Sequence, residues 1–270
     1  MQETFFGNNT VILKQDSPVS WLVINREDKR NALNQNVITG LIDAIDLLTQ
    51  DPKTRLIALT GMGEKAFCAG ADLSSDDLIS ANTSDKLFED HKGRKHLSSL
   101  FLKMWECHKP IVAAVRGYAI AGGFGLACAC DLIYASSDAQ FGASEVKVGL
   151  WPYIITVPIL NSLSPKKAFE LMVTGRKITA DEAFELGIVN KVTKPEQLEN
   201  EIQSLGIEIA QGAPIAIGLG KESFYNALNM DKYQALEYLR SMLSLTLQTQ
   251  DAKEGINAFL EKRKPRWIDN

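Results

Sequence analysis

The stretch Ile111-Val112-Ala113-Ala114-Val115-Arg116-Gly117-Tyr118-Ala119-Ile120-Ala121-Gly122-Gly123-Phe124-Gly125 runs from a short apolar segment into a glycine-rich turn, and a helix-like run continues to Cys130. Ile111 to Val115 has the composition of a β-strand, and the turn after it sets several backbone N–H groups at a helix N-terminus. Orphan donors and the positive end of the helix dipole favour a negative oxygen there, whether phosphate or enolate. The glycines fall at 117, 122, 123 and 125, which is not the G-x-G-x-x-G spacing, and no Gly-Lys-Ser/Thr follows. The usual nucleotide-binding folds are therefore poorly supported.

Outward from this unit, similar β-rich runs occur at Thr10 to Lys14, Val19 to Asn25, Leu56 to Thr60 and Leu132 to Ala135. Between the second and third, Val37, Leu41, Ile45 and Leu48 recur at helical spacing, which predicts an amphipathic helix from about Asn34 to Gln50. The rhythm is α/β. After about residue 163 strand signals almost disappear. Ser164-Pro165 opens a helix, Thr179-Ala180-Asp181-Glu182 reads as a reciprocal capping box, and Gly187 is a natural stop. The apolar stripe Tyr233, Leu236, Leu239, Met242, Leu243 and Leu247 fits burial against the chain's own core or against a neighbouring subunit. Residues 74 to 99 read as a polar loop entering a helix that runs to about Trp105. No repeat or linker forces a split.

With 270 residues, 45% hydrophobic and 23% charged, the chain is long enough for a substantial core. A formal net charge of −4 supplies no field for nucleic acid or an anionic membrane. The most apolar region, Ile111 to Ala135, is interrupted by Arg116, glycines and Asp131, so no transmembrane span is expected. The first residues lack a basic leader with an apolar run, which gives a cytoplasmic expectation. Cys68, Cys107, Cys128 and Cys130 lack Cys-x-x-Cys or a nearby His pair and read as buried small hydrophobes, with no metal expected. His91, His96 and His108 accompany no Gly-x-Ser-x-Gly elbow and read as structural or solvated.

Two further segments carry chemistry. Ala66-Phe67-Cys68-Ala69-Gly70-Ala71-Asp72-Leu73 has small residues that let a ligand approach backbone N–H groups, although a tight surface turn has the same composition. In Ala139-Gln140-Phe141-Gly142-Ala143-Ser144-Glu145-Val146-Lys147, one carboxylate stands among small and apolar residues. Desolvation there would raise its pKa and make it a proton carrier near neutral pH. Taken in isolation, Glu145 fits an exposed charge paired with Lys147 better than a catalyst.

In order and spacing, Phe67 to Leu73, Lys109 to Gly123, Cys130 to Ala135 and Ala139 to Gly142 resemble the enoyl-CoA hydratase/isomerase (crotonase) family. Asn31 to Asn34, Thr174-Gly175-Arg176, Ala183 to Val189, Glu254-Gly255 and Glu261 to Lys264 extend the resemblance over nearly the whole chain. It implies an α/β crotonase-like spiral of ββα units over about residues 1–200, with a C-terminal helical trimerisation region over 201–270. It also implies a homotrimer or homohexamer acting on an acyl-CoA thioester, coenzyme A being part of the substrate and no separate cofactor being needed.

Carried over by position, Ala71 and Gly122 would supply the oxyanion-hole N–H groups and Glu145 the proton-transferring carboxylate. The substrate would lie along Lys29, Arg30, Ala32, Ala69, Gly70, Asp72, Leu73 and Gly123, and Tyr153 falls where the acyl chain should pass. Common hydratases carry a second glutamate at the position of Gly125, and a glycine-rich stretch where this chain has Trp151-Pro152-Tyr153-Ile154-Ile155. Both departures favour, by a small margin, isomerisation of 3-enoyl- to 2-enoyl-CoA by a single glutamate. A single-glutamate hydratase of the methylglutaconyl type, a decarboxylase or thioesterase, and a catalytically silent CoA-binding relative are the alternatives.

Overall fold

The computed structural model describes residues 2–73 and 96–268. The chain opens with β1 (Gln2–Phe6), β2 (Val11–Asp16) and β3 (Val19–Ile24), then α1 (Gln35–Gln50), β4 (Leu56–Gly61) and β5 (Ala66–Cys68). Helix α2 spans residues 96–106 and leads to β6 (Ile111–Val115), β7 (Tyr118–Ile120) and α3 (Gly122–Ala129). Next come β8 (Leu132–Ser136), β9 (Gln140–Gly142), α4 (Thr156–Ser162), α5 (Pro165–Thr174), β10 (Ile178–Thr179), α6 (Ala180–Glu185) and β11 (Lys191–Thr193). Helices α7 (Leu198–Ala210), α8 (Pro214–Ala227), α9 (Lys232–Thr246) and α10 (Gln250–Leu260) complete it.

The strands form a seven-stranded sheet, β1-β2-β3-β4-β6-β8-β11, and a four-stranded sheet, β10-β9-β7-β5. Each repeat contributes a strand to the large sheet, a short strand to the small one, and a helix: β4, β5, α2; then β6, β7, α3; then β8, β9, α4. This is the expected ββα succession. The short strands were not predicted, because two or three residues carry no measurable alternation. For the same reason β10 and β11 escaped notice in the region read as helical.

The parallel strands β4 and β6 are buried on both faces, which is why they read as continuous apolar runs. Ile57, Leu59, Ile111, Ala113 and Val115 face the main core with Phe67, Phe124 and Phe141. Leu56, Ala58, Val112 and Ala114 face the other side, where Leu198 and Ile202 of α7 cover them. Residue 200 thus falls inside a helix that packs on the sheet. Helix α1 forms where the apolar spacing predicts it, with Val37, Leu41, Ile45 and Leu48 buried in the core, and the structure adds an Asn34 cap whose side chain accepts from Val37 N at 3.0 Å.

Ser164 and Pro165 open α5, and Gly187, at φ +79°, follows α6. The capping box at α6 is only half made. Thr179 Oγ1 accepts from Glu182 N at 3.2 Å, but the Glu182 carboxylate turns to Arg176 Nη2 at 2.8 Å, a stronger charged partner than a backbone N–H. Helix α8 is anchored by Lys221 and Tyr225, which both bond the Asp131 carboxylate at 2.7 Å. Tyr233, Leu236, Leu239 and Leu243 on α9 and Leu247 just past its end are exposed, with Met242 half-buried, so the chain's own core does not cover that stripe. The four cysteines are buried and free. Among the described residues no helix is long and apolar enough to cross a membrane.

Candidate active site

In the small sheet β5, β7 and β9 run parallel, with Cys68 opposite Ala119 and Ile120 opposite Gly142. The segments that follow them, at Ala69, Ala121 and Ala143, therefore leave the same end of the sheet. The carboxyl ends of parallel strands are where open α/β sheets take ligands. Here that end gathers the three segments the sequence singled out.

Gly70 has φ +98°, and a Cβ on it would stand 2.9 Å from Ala121 Cβ and 3.2 Å from Gly122 N. Only glycine permits both the backbone conformation and this approach. A Cβ on Gly122 would in turn lie 3.5 Å from Ala71 N, so the Ala71 and Gly122 nitrogens are neighbours. Among the described residues neither N–H donates a hydrogen bond. Gly122 is the first residue of α3, where such donors are left over by helix geometry.

Ala121 holds that helix start at φ 52° and ψ −125°, a backbone conformation that costs a non-glycine residue about 1–3 kcal/mol. Its N–H bonds Gly142 O at 2.7 Å, which ties the start of α3 to the end of β9. Gly123, expected along the substrate, also packs closely against the protein. A Cβ there would be 2.0 Å from Cys68 O, so its missing side chain seats α3 directly on the backbone of β5.

Glu145 begins a 3-10 turn, Glu145–Val148, just past the end of β9. It is half-buried, and Oε2 is fully enclosed with no hydrogen-bond partner among the described residues. Burial pushes its carboxyl above the ordinary range, opposed by its own backbone N–H. The pairing with Lys147 is not formed: the Lys147 side chain lies across Gly175, its Cε 3.3 Å from where a Cβ on that glycine would be.

Gly125, one turn into α3, faces Ile155. A Cβ at Gly125 would stand 2.1 Å from Ile155 Cγ2 and 2.4 Å from Ile155 Cβ, and Ile155 is buried. Ile155 therefore fills the space in front of Gly125. Tyr153 is 78% exposed.

The expected nucleotide-side residues lie together. Arg30 O accepts from Ala69 N at 3.0 Å, Leu33 N donates to Gly70 O at 2.7 Å and Asp72 N donates to Leu33 O at 2.8 Å. Lys29, Arg30 and Leu73 are exposed, whereas Ala32 and Asp72 are buried. Asp72, expected along the substrate, bonds Arg26 Nη2 at 2.7 Å. Sequence reasoning passed over Arg26 because an arginine before a turn has no pattern of its own. Asn31 adds to the same junction, with Nδ2 donating to Ala66 O at 2.7 Å. His96 and His108 are exposed, while His91 lies outside the described residues.

A family model described as enoyl-CoA hydratase/isomerase matches residues 14–270. A crotonyl-CoA hydratase of Syntrophomonas wolfei is 36% identical over 259 residues, covering 96% of this chain and 97% of that protein. A short-chain-enoyl-CoA hydratase of Clostridium acetobutylicum is 35% identical over 263 residues, covering 97% and 98%. The solved structure of an enoyl-CoA hydratase from Mycobacterium smegmatis superposes with a TM-score of 0.88 at 32% identity, covering 96% of this chain and 98% of that one.

Proposed function

The chain belongs to the enoyl-CoA hydratase/isomerase family, and from that premise we propose that it shifts the double bond of a 3-enoyl-CoA thioester to the 2-position, using Glu145 as its proton carrier. The N–H groups of Ala71 and Gly122 hold the thioester oxygen. Glu145 removes a proton from C2, the C–H electron pair moves into the thioester to give an enolate, and the same carboxyl returns the proton at C4 while the double bond moves to C2–C3. A preorganised N–H donor of this kind contributes about 3–4 kcal/mol to such a transition state. The exposed Lys29 and Arg30 meet the phosphates of coenzyme A, and the exposed apolar helices α8 and α9 pack between subunits of a trimer or hexamer.

The observation that carries this reading is Ile155. Its side chain occupies the space a carboxylate at position 125 would need, so position 125 supplies no second acid to hold a nucleophilic water. Burial of Glu145 supports the same reading, since a raised pKa brings a carboxylic acid closer to the pH at which it both takes and returns a proton. Hydration is the second reading, favoured by relatives named as hydratases. Mass analysis of products from 3-enoyl- and 2-enoyl-CoA in deuterated water separates the two. Isomerisation gives 2-enoyl-CoA without the added mass of water, with deuterium entering only where the Glu145 carboxyl exchanges with solvent before it returns the proton. Rapid conversion of 2-enoyl-CoA to 3-hydroxyacyl-CoA, outpacing the double-bond shift, would replace this proposal with hydration.

A further inference from the structure

Arg26 stands at the head of a chain of hydrogen bonds that ends on the Ala71 N–H. Its Nη1 donates to Ala32 O at 2.7 Å. The peptide bearing that carbonyl also bears the Leu33 N–H, which donates to Gly70 O at 2.7 Å. The peptide bearing the Gly70 carbonyl bears the Ala71 N–H. Because each peptide is planar and trans, its N–H points opposite its C=O, so fixing one end aims the other. Ala69, Gly70 and Ala71 have almost no side chain with which to hold the loop, and Gly70 is free to adopt many backbone angles. The Ala69 N–H to Arg30 O and Asp72 N–H to Leu33 O bonds hold the loop on either side, and between them the Gly70 carbonyl meets the Leu33 N–H, whose peptide Arg26 holds.

The guanidinium is itself held. Asp72 Oδ2 takes Nη2 at 2.7 Å, and both side chains are largely buried. The two nitrogens of one planar fork are thus divided between the Asp72 carboxylate and the Ala32 carbonyl. A lysine nitrogen, on a flexible stem, does not reproduce that geometry. Each peptide in the chain is also polarised by the bond before it, a cooperative strengthening of roughly 10–30% per bond, which makes the last N–H a better donor.

We propose that Arg26 and Asp72 are positioning residues for the oxyanion hole, with Arg26 aiming and polarising the Ala71 N–H through the Ala32–Leu33 and Gly70–Ala71 peptides. This rests on the reading above that the Ala71 N–H holds the thioester oxygen. The test uses a conjugated aryl-enoyl-CoA, whose absorption band moves to longer wavelength when its carbonyl is polarised, bound at saturation to the full-length protein. Arg26→Lys is expected to shrink that shift and lower kcat on the order of 10-fold, part of the 10²–10³ that a whole donor carries. KM should stay within about 2-fold, since nucleotide contacts are untouched.

The paired variant Arg26→Gln/Asp72→Asn removes both charges together, avoids stranding a buried carboxylate, and is expected to act in the same direction. A folded variant of either kind that keeps the full shift and kcat overturns the proposal. A variant that loses affinity and rate together, with its shift intact, marks Arg26 as structural only and overturns it as well. If the wild-type protein shows no band shift at all, it is the oxyanion-hole reading that fails, and the two failures are told apart.

Discussion

Replacing Gly125 by alanine tests the packing on which the proposed chemistry depends. The new Cβ would stand 2.1 Å from Ile155 Cγ2, 2.4 Å from Ile155 Cβ and 3.4 Å from Ile155 Cα, against an optimum of about 3.5–4.0 Å between carbons. Rotating Ile155 about χ1 moves Cγ2 but leaves Cβ where it is, so relief requires backbone movement. Overpacking of this kind costs about 1–3 kcal/mol. Ile155→Ala does not relieve it, because Cβ remains; Ile155→Gly does, because the nearest atom left is Cα at 3.4 Å. Alone, Ile155→Gly should destabilise by about 2–5 kcal/mol through the lost side chain. In the double variant the Gly125→Ala penalty should vanish, a coupling of about 1–3 kcal/mol in a double-mutant cycle read by urea unfolding. An additive cycle, or Gly125→Ala as stable as the wild type, would refute the reasoning. The same geometry means that Gly125→Glu cannot install a working second carboxylate unless Ile155→Gly accompanies it. The pair of changes should raise hydration relative to isomerisation in the product assay.

Glu145→Gln should abolish exchange of the acyl α-proton with solvent while CoA affinity stays within a few-fold, measured by mass spectrometry and calorimetry. In the wild type, kcat/KM should fall with decreasing pH through a pKa above the usual carboxylate range, because the protonated acid no longer accepts a proton. Linkage gives the sign for stability: the folded state holds this proton more tightly than the unfolded one, so above the raised pKa the ionised side chain is a cost. Glu145→Gln should therefore be the more stable protein at neutral pH, with the difference fading as pH drops through that pKa toward 4.5. Ala121→Gly should stabilise by about 1 kcal/mol in thermal unfolding by relieving the positive φ, yet lower kcat by loosening the Gly122 N–H; a destabilised variant would count against strain at this residue. Sedimentation at micromolar concentration should show a trimer or hexamer, since Phe224, Leu228, Leu236 and Leu243 are exposed in the single chain, and a stable monomer would contradict it.

The larger elements were legible because their signals are local and repeated. Helix α1 shows its apolar stripe in sixteen residues, and five of the six strands of five or six residues carry a recognisable apolar run, whereas β1, whose apolar residues are only Phe5 and Phe6, shows none. The glycine turns at 70 and 122 and the carboxylate at 145 also stood out, by their small residues and apolar neighbours. That much is written in the order of the side chains. The sequence could not show what those side chains meet. Arg26 reaches Asp72 across 46 positions, the Leu33 amide fixes the Gly70 carbonyl, and Ile155 fills the space before Gly125 across 30 positions, all through contacts made only when the two sheets close on each other. Gly70, Gly122, Gly123 and Gly125 are the same letter in the sequence. The fold gives one a left-handed turn, one a free N–H, one a seat on β5 and one a neighbour that excludes a second acid, because what a missing side chain permits depends on which atoms approach it.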